Sequence, residues 1–251
     1  MTLRSSDNQI VRVSIIVPAF NEERLLAATL SSIRDAAGAF DQQGWSSEVI
    51  VCDNNSTDRT SEIALEAGAR VVFEPLNQIA RSRNAGAAYA GGEWLIFVDA
   101  DCCPSPALFA DVAQAIRRGR CLAGGSTVSL DGSHPLMSFG VSIWNLLSRI
   151  NKWAAGSFIF CEASTFREVG GFNQAMYAGE EIDLFRRLKR VARLKDRAIV
   201  VLHQHPLRTS DRKARLYTSW ELLTFFARTI ASRGRTLRSA EACFAWYDGR
   251  R

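Results

Sequence analysis

Two aspartates one residue apart, Asp99 and Asp101, directly follow the apolar run Trp94-Leu95-Ile96-Phe97-Val98. Such a run reads as a buried strand. Carboxylates at i and i+2 on an extended backbone lie on the same side, so both would face the crevice where open α/β sheets bind ligands. Two hard oxygen donors there suit Mg²⁺ or Mn²⁺ bridged to a diphosphate. Asp-x-Asp is a short pattern, and the same pair would also solvate a strand end or cap a helix. Its meaning depends on what accompanies it.

Three other strand-end or helix-start groups accompany it. Val13 to Phe20 is an apolar run ending in a turn, and Asn21-Glu22-Glu23 then opens a helix, with Glu22 in its positively polarised first turn. Val49-Ile50-Val51-Cys52 ends in Asp53, placed either to accept hydrogen bonds from a nucleobase edge or to hold the polar loop Asn54-Asn55-Ser56-Thr57-Asp58 as an Asx turn. In Ala80-Arg81-Ser82-Arg83-Asn84-Ala85-Gly86, Arg83 either reaches base or phosphates or decorates a helix surface.

The elements that must position these groups alternate. Val13–Ala19, Glu48–Asp53, Arg70–Phe73 and Trp94–Asp99 read as buried strands. A helical stripe runs from Leu25 to Ile33, a second begins at Ile63, and Asn77–Ala90 is alanine-rich. This alternation predicts a mostly parallel sheet covered by helices on both faces. Further on, Pro106–Arg118 reads as helix, Leu122–Leu130 as extended, residues 131–135 as a turn, and Leu136–Ile150 as an amphipathic helix. Gly156–Cys161 then reads as a strand, Glu180–Arg193 as a helix, Ala198–Leu202 as a short strand, and Arg212–Arg233 as a basic amphipathic helix.

The chain has 251 residues, 47% hydrophobic and 23% charged, enough for one large α/β domain. Within it, residues 11–100 carry the strand-helix alternation, 101–205 a looser pattern, and 206–251 a basic helical tail. No apolar run reaches the length of a membrane span, and residues 1–7 lack a signal core, which predicts a cytoplasmic protein. Six cysteines without Cys-x-x-Cys spacing read as reduced structural thiols. Residues 186–251 carry 17 basic and 5 acidic side chains, a net +12, against −7 for residues 1–185. A cationic surface of that kind neutralises a diphosphate, meets an acidic acceptor or docks peripherally on the anionic inner face of a membrane. Nothing in the pattern indicates nucleic-acid binding.

In order, Val17-Pro18-Ala19-Phe20-Asn21-Glu22, Val51-Cys52-Asp53-Asn54-Asn55-Ser56-Thr57-Asp58, Arg83-Asn84-Ala85-Gly86, Phe97-Val98-Asp99-Ala100-Asp101, Gly170-Gly171-Phe172 and Glu180-Glu181-Ile182-Asp183-Leu184 resemble the family 2 glycosyltransferases and their GT-A fold. The resemblance spans residues 11–205 and implies a single GT-A domain with a nucleotide-binding half over 11–100 and an acceptor and catalytic half over 101–205. It implies that Pro18, Ala19, Phe20, Glu22, Asp53 and Arg83 hold the nucleotide of a UDP-sugar. Asp99 and Ala100 would then lie at the ribose and the metal, and Asp101 would bind Mn²⁺ or Mg²⁺ directly.

The pair Glu180-Glu181 looks like the family's Glu-Asp, which makes Glu181 the expected catalytic base, with Glu180 and Asp183 beside it. A glutamate where the family has an aspartate moves the carboxylate by about one methylene. An acidic first helical turn is the plainer role for these three, worth about 0.3–1 kcal/mol per charge. Removing a proton from an alcohol acceptor, whether glycan, lipid-linked or small, does require a carboxylate on the acceptor side. The resemblance also places a metal-ligating histidine at His203 or His205, and a Thr209-Ser210-Asp211-Arg212-Lys213 segment either over the diphosphate or as a turn capping the basic helix. Alternatives to inverting transfer are a retaining transferase making a sugar-glycerate-type glycoside, a nucleotidyltransferase, and a non-catalytic carbohydrate- or lipid-surface-binding module.

Overall fold

The computed structural model describes residues 11–131, 135–154, 156–210, 232 and 235–243. Strands β1 (Arg12–Ala19), β2 (Ser46–Asp53), β3 (Arg70–Phe73) and β4 (Trp94–Val98) alternate with helices α1 (Leu26–Asp41), α2 (Thr60–Glu66) and α3 (Ile79–Ala88). The chain continues through β5 (Cys102–Cys103), α4 (Pro106–Arg117), β6 (Cys121–Asp131) and α5 (Pro135–Asn151). It then forms β7 (Phe158–Glu162), α6 (Ala163–Glu168), α7 (Glu180–Leu194) and β8 (Ala198–Ser210), and a 3-10 turn follows at Arg235–Arg238.

All eight strands join one sheet in the order β3-β2-β1-β4-β7-β6-β8-β5. The first half is parallel, as the strand-helix alternation predicts. The second half is mixed, because β7 inserts antiparallel between β4 and β6, and β5 pairs antiparallel with β8.

β1 shows why these residues form a central strand. Val13, Ile15, Val17 and Ala19 enter the core on one face with α1 and α4, whereas Ile16 enters the core on the other with residues of α3, α6 and α7. Period-two side chains on a strand covered on both faces give a continuous apolar run. Helix α3 lies so close to this strand that a Cβ on Gly86 would come within 2.5 Å of Ile16 Cγ2. The fit therefore needs a residue without a side chain.

Four local expectations differ from the structure. Glu22 precedes α1 rather than opening it: the helix begins at Leu26, and the Glu22 carbonyl accepts from the amides of Leu25 and Leu26. Asp99 to Asp101 is a tight turn, not extended chain, because the Cys102 amide donates back to the Asp99 carbonyl at 3.1 Å. β8 runs to Ser210, since β5 and β6 offer it pairing partners as far as Thr209 and Ser210. Helix α6 has no counterpart in the sequence pattern; six residues are too few for a periodic signal. The expected helix over 212–233 lies outside the described residues, apart from Ser232.

Candidate active site

The carboxyl ends of β1, β2 and β4 fall along one edge of the sheet. Ala19 is in register with Asp53, and Ile16 with Phe97, two residues before Asp99. The turn after β1 places Asn21 in the left-handed region at φ 52°, a conformation asparagine tolerates better than most residues. Asn21 Oδ1 accepts from the Thr57 amide at 2.8 Å, which ties the β1 and β2 loops together. Pro18, Ala19 and Ala100 are buried in this frame, while Phe20 keeps part of its surface. Glu22 is buried, and its amide donates to Thr60 Oγ1 at 2.8 Å.

Asp53 is also buried. Its Oδ1 accepts from the Ser56 amide at 3.0 Å and its Oδ2 from the Ser61 hydroxyl at 2.6 Å. Both oxygens therefore organise the loop after β2, although each still has lone-pair capacity for a further donor.

The centre of the site is Arg83. Only 1% exposed, it donates from Nη1 to Glu180 Oε1 at 2.8 Å, and from Nη2 both to Asp99 Oδ1 at 2.8 Å and to the Gly156 carbonyl at 2.7 Å. Its guanidinium carbon lies 5.2 Å from the centre of the Phe172 ring. Burial alone would lower the Arg83 pKa, but the charges of Asp99 and Glu180 more than offset this and hold it above its ordinary value. The planar fork of arginine can span two carboxylates on different elements, which a lysine cannot do with the same geometry.

Glu180 and Glu181 open α7 behind Gly179, whose φ of 72° is favoured by the lack of a side chain. Glu180 is buried on Arg83, and Glu181 remains partly exposed. The Cβ position of Gly156 lies 3.4 Å from Glu181 Cδ and 3.5 Å from Arg83 Nη2, so Gly156 brings backbone close to both side chains. Burial first, and the Glu180 carboxylate second, push the Glu181 pKa up to about 8, although Arg83 pulls it down. Asp183 faces elsewhere and pairs with Arg187 at 2.7 Å; Arg187 in turn donates to the carbonyls of Val169 and Gly171. That contact fixes the Gly170-Gly171-Phe172 loop to α7.

The tight turn separates the two aspartates of the Asp-x-Asp. Asp99 turns to Arg83, whereas Asp101 Oδ2 accepts from the Ser210 hydroxyl at 3.3 Å and its carbonyl from the Ser210 amide at 3.2 Å. Thr209 and Ser210 thus join the site from the end of β8 as strand residues; Asp211 to Lys213 lie outside the described residues. The structure brings neither His203 nor His205 to these carboxylates. Both sit in a stretch where β8 carries extra residues between its pairings at Leu202 and Leu207, and His205 Nδ1 lies 2.9 Å from Asp111 Oδ2 on α4.

Among the described residues no three His, Cys, Asp or Glu side chains gather as a metal cluster. One or two carboxylates, with the remaining ligands from substrate phosphates and water, nevertheless match how Mg²⁺ and related ions bind diphosphates. Asp101, partly exposed beside the Ser210 hydroxyl, offers such a carboxylate, with Asp99 two residues before it.

Several contributing residues have no role assigned by sequence pattern. Asn54 Oδ1 accepts from the Gln78 amide at 2.8 Å, and Gln78 Nε2 donates to the carbonyls of Gln174 and Met176, fixing the loop that leads to Glu180. Asn84 holds the same loop through both the amide and the carbonyl of Phe172. A polar residue just past a strand, as Asn54 is, and one just before a helix, as Gln78 is, offer a signal. Gly156 offers none. Burial raises the pKa of Cys52 to about 11 and that of Cys161 further, as expected of inert structural thiols.

This sheet order, with Asp53, Asp99 and Glu180 at its carboxyl edge, is that of the GT-A fold. The chain belongs to glycosyl transferase family 2, whose family model matches residues 14–161. It is 40% identical over 96 residues to the 4,4'-diaponeurosporenoate glycosyltransferase of Staphylococcus haemolyticus, covering 36% of this chain and 24% of that one. It is 31% identical over 124 residues to the dolichol-phosphate mannosyltransferase of Pyrococcus furiosus, covering 46% and 33%. The chain thus spans a third or less of the length of these two relatives. Its fold is similar to that of the mannosyltransferase PcManGT of Pyrobaculum calidifontis, solved with GDP-Man and Mn²⁺, with a TM-score of 0.63 at 21% identity over 88% of this chain and 64% of that one.

Proposed function

We propose that this chain moves a sugar from a UDP-sugar to an alcohol acceptor with inversion at the anomeric carbon. The observation that carries the reading is the Arg83 bridge, which ties the donor-side acid Asp99 to the acceptor-side acid Glu180. In this reading the β1 turn (Pro18, Ala19, Phe20 and Glu22) and Asp53 receive the nucleoside, and Arg83 orients Asp99 towards it. Asp101, with Asp99, holds Mn²⁺ or Mg²⁺, which when bound supplies electrostatic stabilisation of the departing diphosphate.

Glu181 takes the proton of the acceptor hydroxyl as its oxygen bonds to the anomeric carbon. The bond from that carbon to the diphosphate breaks, and the nucleoside diphosphate leaves with the electron pair. A carboxylate whose pKa stands near neutrality is suited to this exchange. Glu180, neutralised by Arg83, orients the base, while Asp183 steadies the loop through Arg187.

Relatives named for 4,4'-diaponeurosporenoate and for dolichol phosphate support an apolar or lipid-linked acceptor. The excess of positive charge after residue 185 would then draw a cytoplasmic enzyme to the inner face of an anionic membrane. The test is a panel of nucleotide sugars assayed for hydrolysis and transfer with Mn²⁺ and Mg²⁺. Release of UDP from one donor supports the reading, and release of pyrophosphate, or binding without turnover, rejects it.

A further inference from the structure

Helix α5 carries an apolar stripe that is exposed among the described residues. Ile143, Leu146, Leu147 and Ile150, at helical spacings of three, four and seven, are 44–68% exposed. A different face of the helix anchors it. Asn145 Oδ1 accepts from the Val128 amide and its Nδ2 donates to the Val128 carbonyl, Ser148 is buried, and Val141 packs on the core.

Cations gather where the stripe ends. Arg149 and Lys152 are exposed, and Lys189 reaches across from α7 to the Asn151 carbonyl and stands 5.5 Å from the Trp153 ring centre. Arg186 and Arg193 lie close enough to Lys189 that, after burial, their charges and that of Lys152 lower its pKa. An apolar ridge beside clustered cations and a tryptophan has the composition of a helix lying in a bilayer interface. Anionic headgroups complement that charge, which an apolar contact with a second copy of the chain would leave unused.

We propose that α5 is a membrane-docking surface, its apolar stripe entering the headgroup boundary of an anionic bilayer while Arg149, Lys152, Arg186, Lys189 and Arg193 meet lipid phosphates. The placement gives the contact a purpose. Only five residues beyond Asn151, Gly156 accepts from Arg83 and borders Glu181. A docked α5 therefore sets the acceptor-side acids next to the bilayer, where a lipid-borne hydroxyl would present itself. This purpose rests on the proposed lipid-linked acceptor, but the docking itself is read without turnover.

The test is flotation of the full chain with vesicles of phosphatidylcholine alone and of phosphatidylcholine mixed with phosphatidylglycerol. The protein should float with the mixed vesicles, and less so at high salt. Leu146→Gln with Ile150→Gln should weaken this at least about tenfold, and Lys152→Ala and Arg186→Ala about fivefold each. Melting temperature and donor hydrolysis should match the parent, because these side chains are exposed and outside the site. The inference is overturned if the parent ignores anionic vesicles. It is also overturned if the stripe variant binds them as well as the parent, which would assign binding to another surface such as the basic tail. A parent dimer that the stripe variant abolishes and vesicles do not compete away would overturn it in favour of self-association.

Discussion

Arg83 and Asp99 meet at 2.8 Å with the arginine almost wholly enclosed, and the same guanidinium holds Glu180 on the opposite wall of the site. Removing one member of a buried ion pair strands the remaining charges, at a cost of about 3–5 kcal/mol. Arg83→Met should therefore lower the melting temperature substantially, and Arg83→Lys should recover part of the stability but little activity, because an ammonium cannot span both carboxylates. Thermal denaturation of the two variants, read beside donor hydrolysis, checks this. If Arg83→Lys is as active as the parent, the bridge has no role in geometry.

Glu181→Gln keeps size and removes the base. Acceptor transfer should slow by about 10²-fold or more in kcat, with UDP affinity unchanged by calorimetry. Glu180→Gln should show a different pattern, with lost stability as well as lost rate, since it breaks the contact with Arg83. Wild-type transfer by Glu181→Gln at saturating donor and acceptor would favour a retaining mechanism instead.

The raised pKa of Glu181 sets a pH dependence. The base works ionised, so kcat/KM should fall as pH drops below about 8, and the limb should vanish in Glu181→Gln. Stability has the opposite sign. The folded protein holds this proton more tightly than an ordinary carboxyl of pKa 4.5 does, so this contribution to stability is lost as pH rises from about 4.5 through about 8. Urea titrations of parent and Glu181→Gln across that range should diverge; parallel curves would show that Glu181 ionises normally.

Turnover should require a divalent cation and stop in Asp101→Ala while the fold is retained. His205 faces Asp111, and neither histidine joins a metal cluster among the described residues. His203→Ala and His205→Ala should therefore keep the parental ratio of Mn²⁺ to Mg²⁺ activity. Full activity in excess EDTA would remove the metal from the mechanism, and a shifted metal ratio in either histidine variant would return that residue to it.

Asp53→Ala should weaken UDP binding by about 1.5–3 kcal/mol if a bond to the charged carboxylate is lost. Because Asp53 also holds the Ser56 amide and the Ser61 hydroxyl, the same variant should lower thermal stability. Unchanged UDP affinity with lowered stability would leave Asp53 as a loop organiser alone.

The parallel half of the sheet and the acids at its edge are legible in the sequence by itself, because each depends on a local pattern. An apolar run makes β4 a buried strand, and a polar residue straight after it must lie at the strand's end, which locates Asp99 and likewise Asp53 after β2. Arg83 shows where local pattern stops. On an alanine-rich helix an arginine reads equally as a surface residue, and it is buried here because α3 packs on β1 at Gly86 and meets Asp99, Gly156 and Glu180 from three other segments. The histidines make the same point in reverse. Their distance from Asp99 and Asp101 follows from extra residues in β8 and from pairing with β5 and β6, contacts between residues up to 107 positions apart that no local window contains.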